Sequence, residues 1–148
     1  MKKFILIASL ALLFTAGTAS ANTLKKEIPS TVQNSFNRFF AQATEVNWEE
    51  SATWFKASFQ LNGLYLTAYY APDGRPIAIS RNLTTSNLPL HLLGHLKQYM
   101  SNAWVSDLFE LSSHGNSTYY VTLDNADETL TLVSDGNDWS VYNRITKG

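Results

Sequence analysis

Phe55-Lys56-Ala57-Ser58-Phe59-Gln60-Leu61-Asn62-Gly63-Leu64-Tyr65-Leu66-Thr67-Ala68-Tyr69-Tyr70 is the stretch that decides the architecture of this chain. Phe55, Ala57, Phe59 and Leu61 alternate with Lys56, Ser58 and Gln60, and Trp54 just ahead continues the second set. A period of two marks a half-buried strand, because successive side chains leave opposite faces of the backbone. Asn62-Gly63 is the strongest short hairpin signal, since both residues adopt positive φ at little cost. On the return, Leu66, Ala68 and Tyr70 are expected to point inward and Tyr65, Thr67 and Tyr69 outward. The stretch therefore predicts an antiparallel hairpin with one apolar face.

Working outward, Val46-Asn47-Trp48 supplies a strand before the hairpin, and Pro72-Asp73-Gly74 turns the chain into a fourth strand carrying Ile77 and Ile79. Upstream, Pro29 fits the first turn of a helix, where its missing N–H is not needed, and the helix is expected to run to about Ala41. Val32, Phe36, Phe39, Phe40 and Ala43 recur at helical spacing, with Gln33, Asn34, Asn37 and Arg38 opposite. That stripe predicts packing on one side only.

The same order recurs sixty residues later, where Leu88-Pro89 answers Ile28-Pro29 and Leu96, Tyr99 and Ala103 answer Phe36, Phe39 and Ala43. Tyr119-Tyr120-Val121-Thr122-Leu123 answers residues 55–59, and Asp135-Gly136 answers Asp73-Gly74. A second helix is expected over Pro89 to Met100, weakened by about 1 kcal/mol at Gly94. Strands follow near residues 105–111, 118–124, 129–133 and 139–144, separated by His114-Gly115-Asn116 and Asp135-Gly136-Asn137-Asp138. Internal repeats of this kind govern the fold. The expected class is α+β: two tandem repeats, about 28–87 and about 88–148, each a helix plus a four-stranded antiparallel sheet, within a single domain spanning 22–148. Trp48, Phe55, Phe59, Phe36, Phe39, Leu92, Leu96, Tyr119, Val121 and Leu123 are the expected core.

Residues 1–21 read as a signal peptide, with Lys2 and Lys3, an apolar stretch from Phe4 to Phe14, and a small-residue cleavage site at Ala19-Ser20-Ala21. The apolar stretch is shorter than the ~20 residues that span a bilayer, so a periplasmic or secreted protein is expected, free of the membrane after cleavage. The chain has no cysteine, which excludes disulfide staples and acylation at cysteine, and core packing must suffice. Without Lys2 and Lys3, nine basic residues stand against twelve acidic ones, a net charge of −3. This weakly acidic, unclustered balance argues against nucleic acid or an anionic membrane as partner.

The proline-opened helix, Val46-Asn47-Trp48, Phe55-Lys56-Ala57-Ser58-Phe59 and the tyrosines running into Asp73-Gly74 together resemble the PepSY-like, beta-lactamase-inhibitor-like family of secreted bacterial proteins. The resemblance covers nearly the whole chain after the targeting segment. It implies tandem helix and sheet units whose strands form a continuous curved surface, as in an inhibitor that grips its target enzyme on a concave sheet. It also implies a regulatory role, as in PepSY segments that control proteases; with no protease domain here, such action would be in trans. The inhibitor of that architecture is stapled by disulfides, so none of its contact residues is carried over to this cysteine-free chain. Fold alone does not assign function.

The outward strand face holds the candidate binding residues: Trp54, Tyr65, Tyr69, Tyr120 and Tyr142, accompanied by Lys56, Ser58, Thr67, Thr122, Thr129, Thr131 and Arg144. Tyrosine and tryptophan offer large contact area at low entropic cost and recur in interface hot spots, although strands favour aromatics and threonine for packing alone. His91 and His95, four apart on the second helix, have a spacing that metals use, but no third ligand is near in sequence and His114 could approach only in space. Solvated histidines and no metal are therefore expected. Nothing resembles a nucleophile elbow or a phosphate loop; Ser113-His114 lacks a placed acid, and Glu49-Glu50 and Asp127-Glu128 fall beside turns. The glycosylation patterns at Asn82-Leu83-Thr84 and Asn116-Ser117-Thr118 are chance matches behind a bacterial-looking leader. The expectation is a binding module with no cofactor and no catalytic residue, which inhibits or regulates a protein through the aromatic sheet face. A small-ligand carrier or sensor is the alternative.

Overall fold

Strand alternation governs the structure from end to end. The computed structural model describes residues 27–148, so the expected targeting segment lies outside the described residues. Helix α1 (Ser30–Phe39) is followed by β1 (Thr44–Glu50), β2 (Phe55–Leu61), β3 (Leu64–Tyr70) and β4 (Pro76–Asn82). Helix α2 (Leu90–Leu96) then precedes β5 (Trp104–Ser113), β6 (Asn116–Asp124), β7 (Glu128–Ser134) and β8 (Ser140–Thr146). All eight strands form one sheet in sequence order, each antiparallel to the next.

This corrects the expected α+β class with two tandem helix-plus-four-stranded repeats. The sheet does not divide, because β4 pairs with β5 from Ile79↔Ser112 to Asn82↔Phe109, and the chain is mostly β. Two separate sheets would leave the edges of β4 and β5 with unpaired N–H and C=O groups, and joining them removes both edges. The helices are also short, at 10 and 7 residues. After Gly94 the second helix tightens to a 3-10 turn at Lys97–Tyr99 instead of continuing to Met100.

Both helices lie on the same face of the sheet. Val32 and Phe36 of α1 pack on Phe55, Ala57, Phe59, Ala68 and Tyr70, while Leu92 and Leu96 of α2 pack on Leu108, Val121, Leu123, Leu130 and Leu132. The Phe36 ring meets Phe59 edge-on at 5.0 Å and Trp48 at 5.2 Å, favourable geometry for aromatic pairs. Trp48 and Tyr119 are half-buried rather than fully buried. Phe39 departs further from the expected core, being 59% exposed with the Arg38 guanidinium over its ring. The buried stripe steps by four, from Val32 to Phe36 to Phe40, whose ring lies tilted against Phe59 with centroids 4.7 Å apart; Phe39 falls on its flank.

The β3–β4 turn is fixed against α1. Gly74 has φ +86°, and a Cβ there would lie 2.6 Å from the Thr31 carbonyl oxygen, so both conformation and space require glycine. Four register shifts interrupt the ladders, near Thr44, Tyr69, Val105 and Thr131. Such bulges bend a strand and redirect its side chains.

Candidate binding face

Direct cross-strand partners share a face, so register carries the face opposite the helices across the sheet. Ser58, Thr67, Ser80, Leu111 and Thr118 form one row, and Phe109, Tyr120 and Val133 form another. Asp107, Thr122, Thr131 and Asn143 make a third, polar row. Lys56, Tyr69 and Ala78 complete the pattern toward β2.

The structure brings the sequence-predicted aromatics together in two groups. Trp54 meets Tyr69 edge-on at 6.0 Å, and Tyr142 meets Tyr120 edge-on at 5.6 Å. Tyr65 keeps to the same face by alternation but stands 64% exposed at the hairpin end, opposite Gln60. Tyr69 and Tyr120, expected to point outward, are buried at 1% and 3% exposure and form the inner part of the two groups. Trp54 and Tyr142 are half-buried and form the accessible flanks of the two groups.

One expected member does not belong to the face. The bulge near Thr131 leaves Tyr142 as the extra residue of β8, so Arg144 pairs with Leu130 on the helix side, where it reaches Glu128 at 3.5 Å. Sequence reading missed Phe109 and Leu111. The run Leu108-Phe109-Glu110-Leu111 has apolar residues in both phases, so alternation alone could not set its register. Phe109 stacks on Tyr120 at 5.1 Å, making the centre of the second group.

The electrostatics keep the two aromatic groups neutral. Burial, and then the Glu49 carboxylate, push the Tyr69 hydroxyl well above its ordinary value. Burial, and then Tyr142, push Tyr120 up to about 12, and burial raises Tyr142 as well. These phenols stay protonated at neutral pH and act as hydrogen-bonding rings rather than bases or nucleophiles. Lys56 is neutralised by Glu49 at 2.8 Å.

The histidines take structural positions. His91 Nε2 lies 2.6 Å from the Gly136 carbonyl oxygen and His95 Nδ1 lies 3.0 Å from an Asp138 carboxylate oxygen, so both tie α2 to the β7–β8 turn. His114 sits at the β5–β6 turn beside the Ser113 hydroxyl, which itself donates to the Ile77 carbonyl. Among the described residues no group of three or more His, Cys, Asp or Glu is placed to hold a metal. No described helix is long and apolar enough to cross a membrane.

No family model matches the chain, and no curated protein matches it in sequence. Solved structures do. A protein from Bacteroides eggerthii inferred to be periplasmic superposes with a TM-score of 0.72 at 12% identity, over 82% of this chain and 90% of its own. A BLIP-like protein from Bacteroides fragilis does so at 0.71 and 19% identity, over 86% and 92%. A DUF2874 family protein from Bacteroides ovatus reaches 0.71 at 14% identity, over 82% and 89%. At these identities the likeness establishes the fold, and the fold is BLIP-like.

Proposed function

We propose that this protein is a non-enzymatic binding module of the periplasm or the secreted fraction, which holds a protein partner on the aromatic face of its sheet. The observation that carries the reading is the pair of aromatic groups, Trp54 with Tyr69 and Phe109 with Tyr120 and Tyr142, set on the face opposite both helices. Buried rings hold half-buried ones in fixed orientations, which lowers the entropic cost of ordering a contact surface. Serine and threonine rows between the groups supply hydrogen bonds. An inhibitory or regulatory role, toward a protease in trans among others, is what the PepSY-like and inhibitor-like resemblance adds. The fold shared with a BLIP-like protein and with one inferred to be periplasmic supports that direction and the location.

The test is capture from periplasmic extract by the chain lacking residues 1–21, compared with Trp54→Ala, Tyr142→Ala and, as control, Leu90→Ala on the 84% exposed position of α2. Loss of one captured protein from both aromatic variants, with capture kept by Leu90→Ala and all three folded, is expected. Equal capture by the two aromatic variants and the parent would remove the face from consideration.

A further inference from the structure

Beside the aromatic groups lies a polar cleft of about 400 Å³, lined by Asn82 at the end of β4, by Thr84 and Thr85 after it and by Ser106 and Asp107 in β5, with Leu83 and Val105 as apolar walls. It contains hydroxyls, an amide and a carboxylate, and no positively charged side chain. The β5 bulge lies within it: register passes from Val105↔Leu123 to Asp107↔Thr122, leaving Ser106 as the extra residue with its hydroxyl donating to the Thr122 carbonyl. A bulge of this kind re-aims the next side chain, here Asp107.

Asp107 differs from the other carboxylates of β5–β8. Glu110 holds Arg81 at 2.6 Å, Asp124 holds Lys147 at 2.6 Å and Glu128 holds Arg144 at 3.5 Å. Asp107 forms no ion pair among the described residues. Asp107 remains exposed, and burial of part of its carboxyl raises it above the ordinary value, against the Leu108 N–H, which lowers it.

We propose that this cleft is a cation site that takes one guanidinium or primary ammonium group, carried by a basic side chain of a polypeptide or by a free polyamine. The carboxylate supplies the charge and a fork for a planar guanidinium. The Asn82 carbonyl and the threonine hydroxyls accept the remaining N–H groups, and the apolar walls suit an aliphatic stem. A divalent metal fits poorly, because calcium takes about 6–8 oxygen ligands with several carboxylates and this cleft offers one. The site does not depend on the aromatic face holding a protein, since a free amine would bind in either case.

Titration of the full chain followed by backbone amide NMR shifts tests it, with agmatine, putrescine and acetyl-Gly-Arg-Gly-amide as probes. Saturable shifts confined to residues 82–85 and 105–108 are expected, with dissociation constants on the order of millimolar, as for a single ion-paired contact. Asp107→Asn should weaken binding at least tenfold, Thr85→Val several-fold, and Glu128→Gln should leave it unchanged. Tighter binding of the peptide assigns the site to side chains and tighter binding of agmatine to free amines; either upholds it. Shifts that never saturate, or equal affinity in Asp107→Asn or in Thr85→Val, would overturn it. Should Asp107→Asn fail to fold, Thr85→Val decides.

Discussion

Phe109 and Tyr120 stand directly opposite each other on β5 and β6, and their rings stack 5.1 Å apart with planes 14° from parallel. Tyr142 meets Tyr120 edge-on from β8, so three strands contribute to one aromatic group. Phe109 is 7% exposed whereas Tyr142 is half-buried, and the two should differ in what their removal does. Phe109→Ala is expected to cost about 3–5 kcal/mol, the range for a buried aromatic, while Tyr142→Ala costs about 1–2 kcal/mol. Denaturant midpoints would check the order. Equal losses would show that Tyr142 is as much core as Phe109, and unfit to be a contact residue.

Phe39 and Phe59 should separate even more clearly. Phe59 is 3% exposed and in contact with Phe36 and Phe40, whereas Phe39 is 59% exposed. Phe59→Ala is expected to cost about 3–5 kcal/mol, and Phe39→Ala within about 0.5–1 kcal/mol of zero. Thermal or urea unfolding of the two variants measures the difference. A Phe39→Ala loss as large as that of Phe59→Ala would refute the placement of the stripe.

That contrast shows where sequence was sufficient and where it was not. Strands with one apolar phase, such as Phe55–Leu61, could be assigned a face residue by residue, and Asn62-Gly63 fixed the hairpin register to Leu61↔Leu64. Phe36 and Phe39 both satisfy a helical stripe, and only the position of the sheet decides which is buried. The bulge near Thr131 is invisible in the sequence, because nothing in Ser140–Thr146 marks Tyr142 as the extra residue, and with it went the face of Arg144. The joining of β4 to β5 is a property of two strand edges meeting, which local pattern cannot specify.

The Arg81–Glu110 pair links the two central strands on the helix side, with the Arg81 Nε donating to the carboxylate at 2.6 Å. Burial opposes the charged form of Glu110, but hydrogen bonds from Ser117 and Arg81 and the guanidinium charge outweigh it and hold the carboxyl below its ordinary value. A depressed folded value means stability that is present above the unfolded value of 4.5 and lost as pH falls through the lower, folded one. Arg81→Ala should therefore destabilise by about 1–2 kcal/mol at pH 7, discounted for the half-exposed arginine, with the deficit shrinking toward pH 3. Thermal melts across that range would measure it. A deficit independent of pH would assign the effect to packing alone.

Trp139 connects α2 to the start of β8. Its indole N–H donates to the Leu92 carbonyl at 2.9 Å, in the buried region that also holds Leu88, Leu96 and Leu132. Trp139→Phe removes this donor while keeping an aromatic ring, and is expected to cost about 1–3 kcal/mol. Amide exchange should then accelerate across Leu90–Leu96 more than across Ser30–Phe39, since only α2 loses one of its tethers. Equal acceleration in both helices would show that the bond acts on the whole sheet.

Asp107 should behave in the opposite sense to Glu110. Desolvation raises its carboxyl above the ordinary 3.8, so folding favours the protonated form. The stability it contributes is complete below the unfolded value and lost as pH rises through the folded one. At pH 7 the ionised group therefore works slightly against the folded state, and Asp107→Asn, which carries no charge at any pH, is expected to melt a little higher than the parent there, the gain being small because the side chain is exposed to solvent. The gap should close as pH falls toward 3, where the parent is protonated in both states. Adding agmatine at pH 7 should raise the parent's midpoint toward that of the variant and leave the variant unmoved, because only the ionised carboxylate gains a partner. Melts of both proteins from pH 3 to 7, with and without the amine, would test this. A variant less stable than the parent at pH 7 would show that Asp107 already has its counter-charge in the native protein.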